Sequence, residues 1–180
     1  IQIAFSPVDG TLLSAQIAGY DGVDKRIEMF SSVIGRKSDV FELTEIEHAY
    51  APPFSSAKDP VNIAGFVAEN ILKEKMSPFY AEEIERLPAD ALLIDVRSEK
   101  EYFAGSIPNA VNIPVDNLRG LLHTLPTNRP LYVFCQVGQR GYLAQVILNQ
   151  HGFTNVKNLS GGYYTWHACE AECRREAVMA

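Results

Sequence analysis

The sequence predicts an α/β chain in two parts: a mostly parallel sheet with helices on both faces, preceded by a small α+β unit. Three observations carry this. From residue 79 onward, short apolar runs of buried-strand length at 92–96, 110–113, 131–134 and 156–159 alternate with helix patterns. Before that, Asp9-Gly10 separates two strand-like runs, and two stretches with helical spacing follow. Between the parts, Lys73-Glu74-Lys75-Met76-Ser77-Pro78 is a charged, proline-ended joint. The expected division is residues 1–73, a linker at 74–78, and residues 79–180.

In the first part, Pro7-Val8-Asp9-Gly10 supplies the turn of a hairpin with strands at 1–5 and 12–20. Val23, Ile27, Phe30 and Ile34 recur at helical spacing. Pro60 sits where a helix can start, and Ile63, Val67 and Ile71 mark one apolar face of it up to Lys73. In the second part, Ser98 and Glu101 form a capping box that opens a helix after the first strand. Leu143, Val146 and Ile147 give the apolar stripe of another helix, closed by Gly152. Glu82, Glu83 and Glu85 read as a solvated helix face.

Composition narrows the function classes. A chain of 180 residues with 47% hydrophobic content can bury a core of normal size. Its net charge of −6 argues against nucleic acid or an anionic membrane surface as partner. No apolar run approaches the roughly 20 residues of a spanning helix. The opening Ile1-Gln2-Ile3-Ala4-Phe5 is strand-like and lacks a secretory signal, so a cut piece of a longer protein is expected. Three cysteines, Cys135, Cys169 and Cys173, are too few for a disulfide framework, which points to a reducing, cytoplasmic setting. The sequon Asn158-Leu159-Ser160 is then a chance match. His167, Cys169 and Cys173 lack a second ligand pair at zinc-like spacing, so no metal is expected. His48, His123 and His151 read as surface or capping residues.

The chemistry concentrates in Phe134-Cys135-Gln136-Val137-Gly138-Gln139-Arg140-Gly141. A cysteine ends a buried strand, and a helix is expected to begin near Arg140 or Gly141. The free amides and positive end of that helix would face the sulfur and favour its thiolate. Gly138 lets the backbone curl into an anion nest with Gln136, Val137, Gln139 and Gly141, and Arg140 adds a permanent charge. Loop size separates phosphate from sulfur as the bound anion. Cysteine phosphatases carry one residue more between Cys and Arg. The shorter ring here, with only Gln136, Val137, Gly138 and Gln139 between, suits a terminal persulfide sulfur.

With that loop in view, residues 79–173 resemble the rhodanese family. The resemblance is carried by Leu93-Ile94-Asp95-Val96-Arg97, Glu101-Tyr102-Phe103-Ala104-Gly105-Ser106-Ile107-Pro108-Asn109-Ala110 and Val111-Asn112-Ile113-Pro114, with the Cys135–Arg140 loop, Gly161-Gly162 and Trp166. It implies that Cys135 takes sulfane sulfur from a donor as a persulfide and passes it to a thiol acceptor. Asp95 and Arg97 would be structural supports of the loop. Ser106 and Asn109 stand where the family usually has His and Gly, and neutral Gln136 and Gln139 match a strongly anionic donor such as thiosulfate poorly. A catalytically silent binding module and a cysteine phosphatase or arsenate reductase are the alternative readings.

Residues 1–73 resemble the C-terminal dimerisation domain of coenzyme A-disulfide reductases and related NADH oxidases. The carrying runs are Gly22-Val23-Asp24-Lys25-Arg26-Ile27 and Ala49-Tyr50-Ala51-Pro52-Pro53-Phe54-Ser55-Ser56-Ala57-Lys58-Asp59-Pro60-Val61-Asn62. This implies a homodimer, and FAD and NAD(P)H in the full-length protein, with no cofactor in this stretch because it has no GxGxxG motif. It also implies that Tyr50 reaches the partner's redox cysteine and a coenzyme A thiol, where a phenol can stabilise a thiolate.

Overall fold

The computed structural model describes residues 1–53 and 55–179, with side chains through Cys173; Phe54 of the quoted motif lies outside the described residues. The chain divides into two compact units, Ile1–Lys75 and Met76–Ala180.

In the first unit, β1 (Gln2–Phe5) and β2 (Leu12–Gln16) pair antiparallel, with Ile3 opposite Ala15. The turn is made by Gly10 at φ 76°, a left-handed position that a side chain would strain. β2 ends at Gln16, short of the expected Tyr20, and Tyr20 is fully exposed. Three helices follow: α1 (Val23–Gly35), α2 (Val40–Glu45) and α3 (Pro60–Leu72). The core gathers Leu12, Phe30, Val33, Val40, Leu43, Val61 and Ala68.

α2, with only six residues, is not among the helices the sequence predicts. Its supports are tertiary. Asp39 caps its first amides, and the buried Asn62 of α3 donates to the carbonyls of Leu43 and Ile46 at 2.9 and 3.0 Å, closing its far end. A Cβ at Gly65 would lie 2.8 Å from the Leu43 Cβ, so glycine lets α3 lie directly on α2. α3 starts as its sequence predicts, with Pro60 in the first turn and an Asp59–Asn62 capping box. Its apolar stripe, however, is not its buried face. Ile63 and Val67 are 51% and 42% exposed, whereas Val61, Asn62, Gly65 and Ala68 face the core.

The second unit is a five-stranded parallel sheet flanked by helices, in the order β3-β7-β6-β4-β5. The strands are β3 (Pro78–Phe79), β4 (Leu92–Asp95), β5 (Val111–Asn112), β6 (Leu131–Phe134) and β7 (Val156–Leu159). The helices are α4 (Glu99–Phe103), α5 (Val115–Leu121), α6 (Gln139–Gln150) and α7 (Gly162–Met179). Alternate residues along the strands feed two cores. Ile94, Val133 and Val156 pack with Leu118, Ala144 and Leu148; Leu93, Tyr132, Phe134 and Leu159 pack with Phe79, Ile107 and Trp166.

The two-residue β3 has no sequence signature, and its proline is tolerated because the strand is an edge. α6 is rotated from its expected stripe. Leu143 is exposed, and the buried residues are Gly141, Ala144, Gln145, Ile147 and Leu148. Asn158 of the sequon is buried in β7. Among the described residues no helix is long and apolar enough to cross a membrane.

Candidate functional site

β6 lies between β7 and β4, so its carboxyl end opens at the middle of the sheet. Cys135 follows it directly. The residue is 1% exposed, and its Sγ accepts the Gly138 N–H at 3.1 Å. Gly138 has φ 109°, which only glycine adopts without strain, and it caps α6. The helix begins at Gln139, one residue before the expected Arg140. Its first amides have no intrahelical acceptor and carry the positive end of the helix dipole next to the sulfur. Gln136 and Arg140 are half-buried around the loop, and Val137 and Gln139 are exposed. Gly141 is buried, and a Cβ on it would lie 2.1 Å from Asn158 Oδ1. It therefore lets α6 pack on β7, and Asn158 in turn donates to the Gly138 carbonyl at 3.0 Å.

α7 closes the loop from the other side. The amides of Tyr163 and Tyr164 donate to the carbonyls of Cys135 and Gln136 at 2.8 and 3.0 Å. Such an approach needs Gly162, at φ 61°, because a Cβ there would lie 2.5 Å from the Cys135 oxygen. Beside the loop α7 borders a cavity of about 290 Å³ lined by Gln136, Tyr163, Tyr164, His167 and Ala168.

Asp95 and Arg97 sit beneath the loop at the end of β4. Asp95 is fully buried, and Arg97 Nε and Nη2 fork onto its carboxylate at 2.7–3.1 Å. Arg97 also donates to the Gly105 carbonyl at 2.7 Å and to Gln136 Oε1 at 3.1 Å, and it stacks 4.1 Å over the Tyr163 ring. Ser106 Oγ donates to Asp95 at 2.7 Å, so serine supplies a polar tether at this position. Asn109, where the family has glycine, takes a left-handed φ of 64°, a conformation asparagine tolerates better than most residues.

Arg140 pairs with Glu101 of α4. Its Nη1 and Nη2 donate to Glu101 Oε2 and Oε1 at 2.8 and 2.6 Å. In the sequence Glu101 is half of a capping box, which the structure contains, and opens one of the rhodanese-like runs, and neither points to Arg140. Those hydrogen bonds from Arg140 hold the Glu101 carboxyl down from 4.5 to about 2, against the opposing effect of burial, with Ser98 assisting. The same bonds raise the Arg140 guanidinium, and Cys135 adds a weaker attraction. No residue pattern joins positions 101 and 140; a signal could have come only from knowing that α4 and α6 start at the same end of a parallel sheet.

Tyr50 lies in the first unit, in the irregular stretch between α2 and α3, and is half-exposed. Cys169 and Cys173 are exposed on α7. Among the described residues, no group of three or more His, Cys, Asp or Glu could hold a metal ion.

The rhodanese-like domain model matches residues 80–169. The thiosulfate:glutathione sulfurtransferase of Homo sapiens is 37% identical over 90 residues, spanning 42% of this chain and 78% of that protein. Two solved structures match 91% of the chain. Reduced CoADR-RHD of Bacillus anthracis is 37% identical with a TM-score of 0.83, and the NAD-dependent persulfide reductase of A. fulgidus is 31% identical with a TM-score of 0.80. The chain spans 29% of each of those two proteins.

Proposed function

Since the chain belongs to the rhodanese-like family, we propose that Cys135 carries the sulfur it transfers, within the C-terminal part of a reductase of coenzyme A disulfide or of a persulfide. The observation that carries the reading is the Cys135 sulfur at a strand end, held by the Gly138 amide and facing the start of α6. A thiolate there attacks the outer sulfur of a donor persulfide. The donor S–S bond breaks, a Cys135 S–S bond forms, and the donor leaves as its thiolate. An acceptor thiolate then attacks the outer sulfur, releasing Cys135 as thiolate, so no net oxidation occurs. The α6 amides stabilise the persulfide anion between the steps, with Gln136, Val137, Gly138 and Gln139 forming the ring around it. Asp95 and Arg97 hold that ring in place through Gln136.

The test is mass spectrometry after incubation with a sulfane sulfur donor. One added sulfur on Cys135, lost to cyanide or a small thiol and absent in Cys135→Ser, is the expected result. A sulfur located on Cys169 or Cys173 with Cys135 unmodified overturns the assignment.

In the same reading the first unit is the dimerisation element, and the setting is cytoplasmic. The exposed apolar residues Ile63 and Val67 of α3 supply a face for the second copy, and light scattering should return a dimer mass. Half-exposed Tyr50 is the group that meets a thiolate at that interface. FAD and NAD(P)H have no GxGxxG motif to hold them in this stretch. In this reading both cofactors are held by other parts of the reductase.

A further inference from the structure

Two arginines adjoin the loop, and each already holds a carboxylate. Arg97 is matched by Asp95 and Arg140 by Glu101. The loop's own side chains, Gln136, Val137 and Gln139, are neutral. The two pairs therefore cancel, and the groups left facing the Cys135 sulfur to hold an anion are the Gly138 amide and the start of α6. Glu101 does not depend on Arg140 for its place, because Ser98 donates to the same carboxylate from its amide at 3.0 Å and its hydroxyl at 2.7 Å. It is a fixed negative charge aimed at the one cation of the loop.

We propose that Glu101 is a specificity-determining residue: by cancelling Arg140 it tunes the loop to singly charged donors, the persulfides of small thiols, and against dianions such as thiosulfate. This rests on the sulfur-carrying role of Cys135. Backbone amides and a helix end stabilise roughly half to one unit of negative charge within the first turn, which suits a persulfide anion and leaves the second charge of a dianion without a counterpart. Removing the Glu101 charge frees Arg140 to supply it.

The full chain can be tested by alkylation of Cys135 with iodoacetate, an anion, against iodoacetamide, its neutral counterpart, with the modified peptide identified by mass spectrometry. The ratio of the two rates reads the charge at the sulfur and needs no sulfur transfer. Glu101→Gln keeps the capping box and should raise the ratio about fivefold at low salt. Arg140→Gln should lower it, since Glu101 is then uncompensated, and the double variant should return to the wild-type ratio. In transfer to cyanide, Glu101→Gln should lower KM for thiosulfate severalfold, with kcat little changed and KM for the singly charged cysteine persulfide lowered less. A ratio that ignores Glu101→Gln, or a double variant that does not return, overturns the proposal even if Cys135 transfers sulfur. A ratio that follows the charges in a chain that transfers sulfur from no donor overturns the sulfurtransferase reading and leaves the charge assignment standing.

Discussion

Two arginine–carboxylate pairs flank the Cys135 loop, alike in chemistry and opposite in setting. Arg97 and Asp95 have side chains 3% and 0% exposed; Arg140 and Glu101 have theirs 35% and 33% exposed. Burial takes both charges of the first pair out of water, which is costly unless every donor and acceptor finds a partner. It does find them, in the Gly105 carbonyl, Ser106 Oγ, the Arg97 amide, Gln136 and the Tyr163 ring. The second pair stays in contact with solvent and contributes little to folding, yet its charges flank the loop that carries Cys135. The difference separates two jobs. The buried pair holds the loop's shape, and the exposed pair sets its charge.

Breaking the buried pair should have the largest effect on stability. Asp95→Ala leaves the Arg97 guanidinium buried without its carboxylate and should cost about 3–5 kcal/mol, read from urea unfolding. A loss below about 1 kcal/mol would mean the pair is no scaffold. Next, Ser106→Ala removes one hydroxyl donor from Asp95 and should cost about 1.5 kcal/mol by the same measurement. Glu101→Gln should change stability by no more than about 0.5 kcal/mol, since exposed pairs are screened and glutamine still caps α4. A loss comparable to that of Asp95→Ala would erase the distinction between the pairs.

The smallest effect is with pH. The Glu101 carboxyl is depressed from 4.5 to about 2, so whatever stability its charge adds is fully present above pH 4.5 and fades as pH falls through 2. The stability difference between wild type and Glu101→Gln should be flat above pH 4.5 and close in that acid range. A difference that vanished near neutral pH would contradict the pairing with Arg140.

Local patterns in the chain were informative where the physics is local. The Asp9-Gly10 turn, the proline start of α3, the Ser98–Glu101 box and the four strands β4 to β7 are each settled by residues within a few positions of one another. The same holds for the loop, where Cys135, Gly138 and the start of α6 fall within five consecutive residues. Rotation of a helix is different. Ile63, Val67 and Leu143 are apolar and outward, because the inward faces of α3 and α6 are chosen by close approach at Gly65 and Gly141, where a side chain has no room.

The residues themselves therefore established an α/β chain, four of its parallel strands, and a cysteine–glycine loop between a strand and a helix. Its electrostatics came from elsewhere. Glu101 and Arg140 are joined by folding alone, across 39 positions, and so are Arg97 and Gln136. A charge acts on whatever lies within a few ångströms of it in space. Sequence distance carries no information about that until the parallel sheet brings the ends of β4 and β6 side by side.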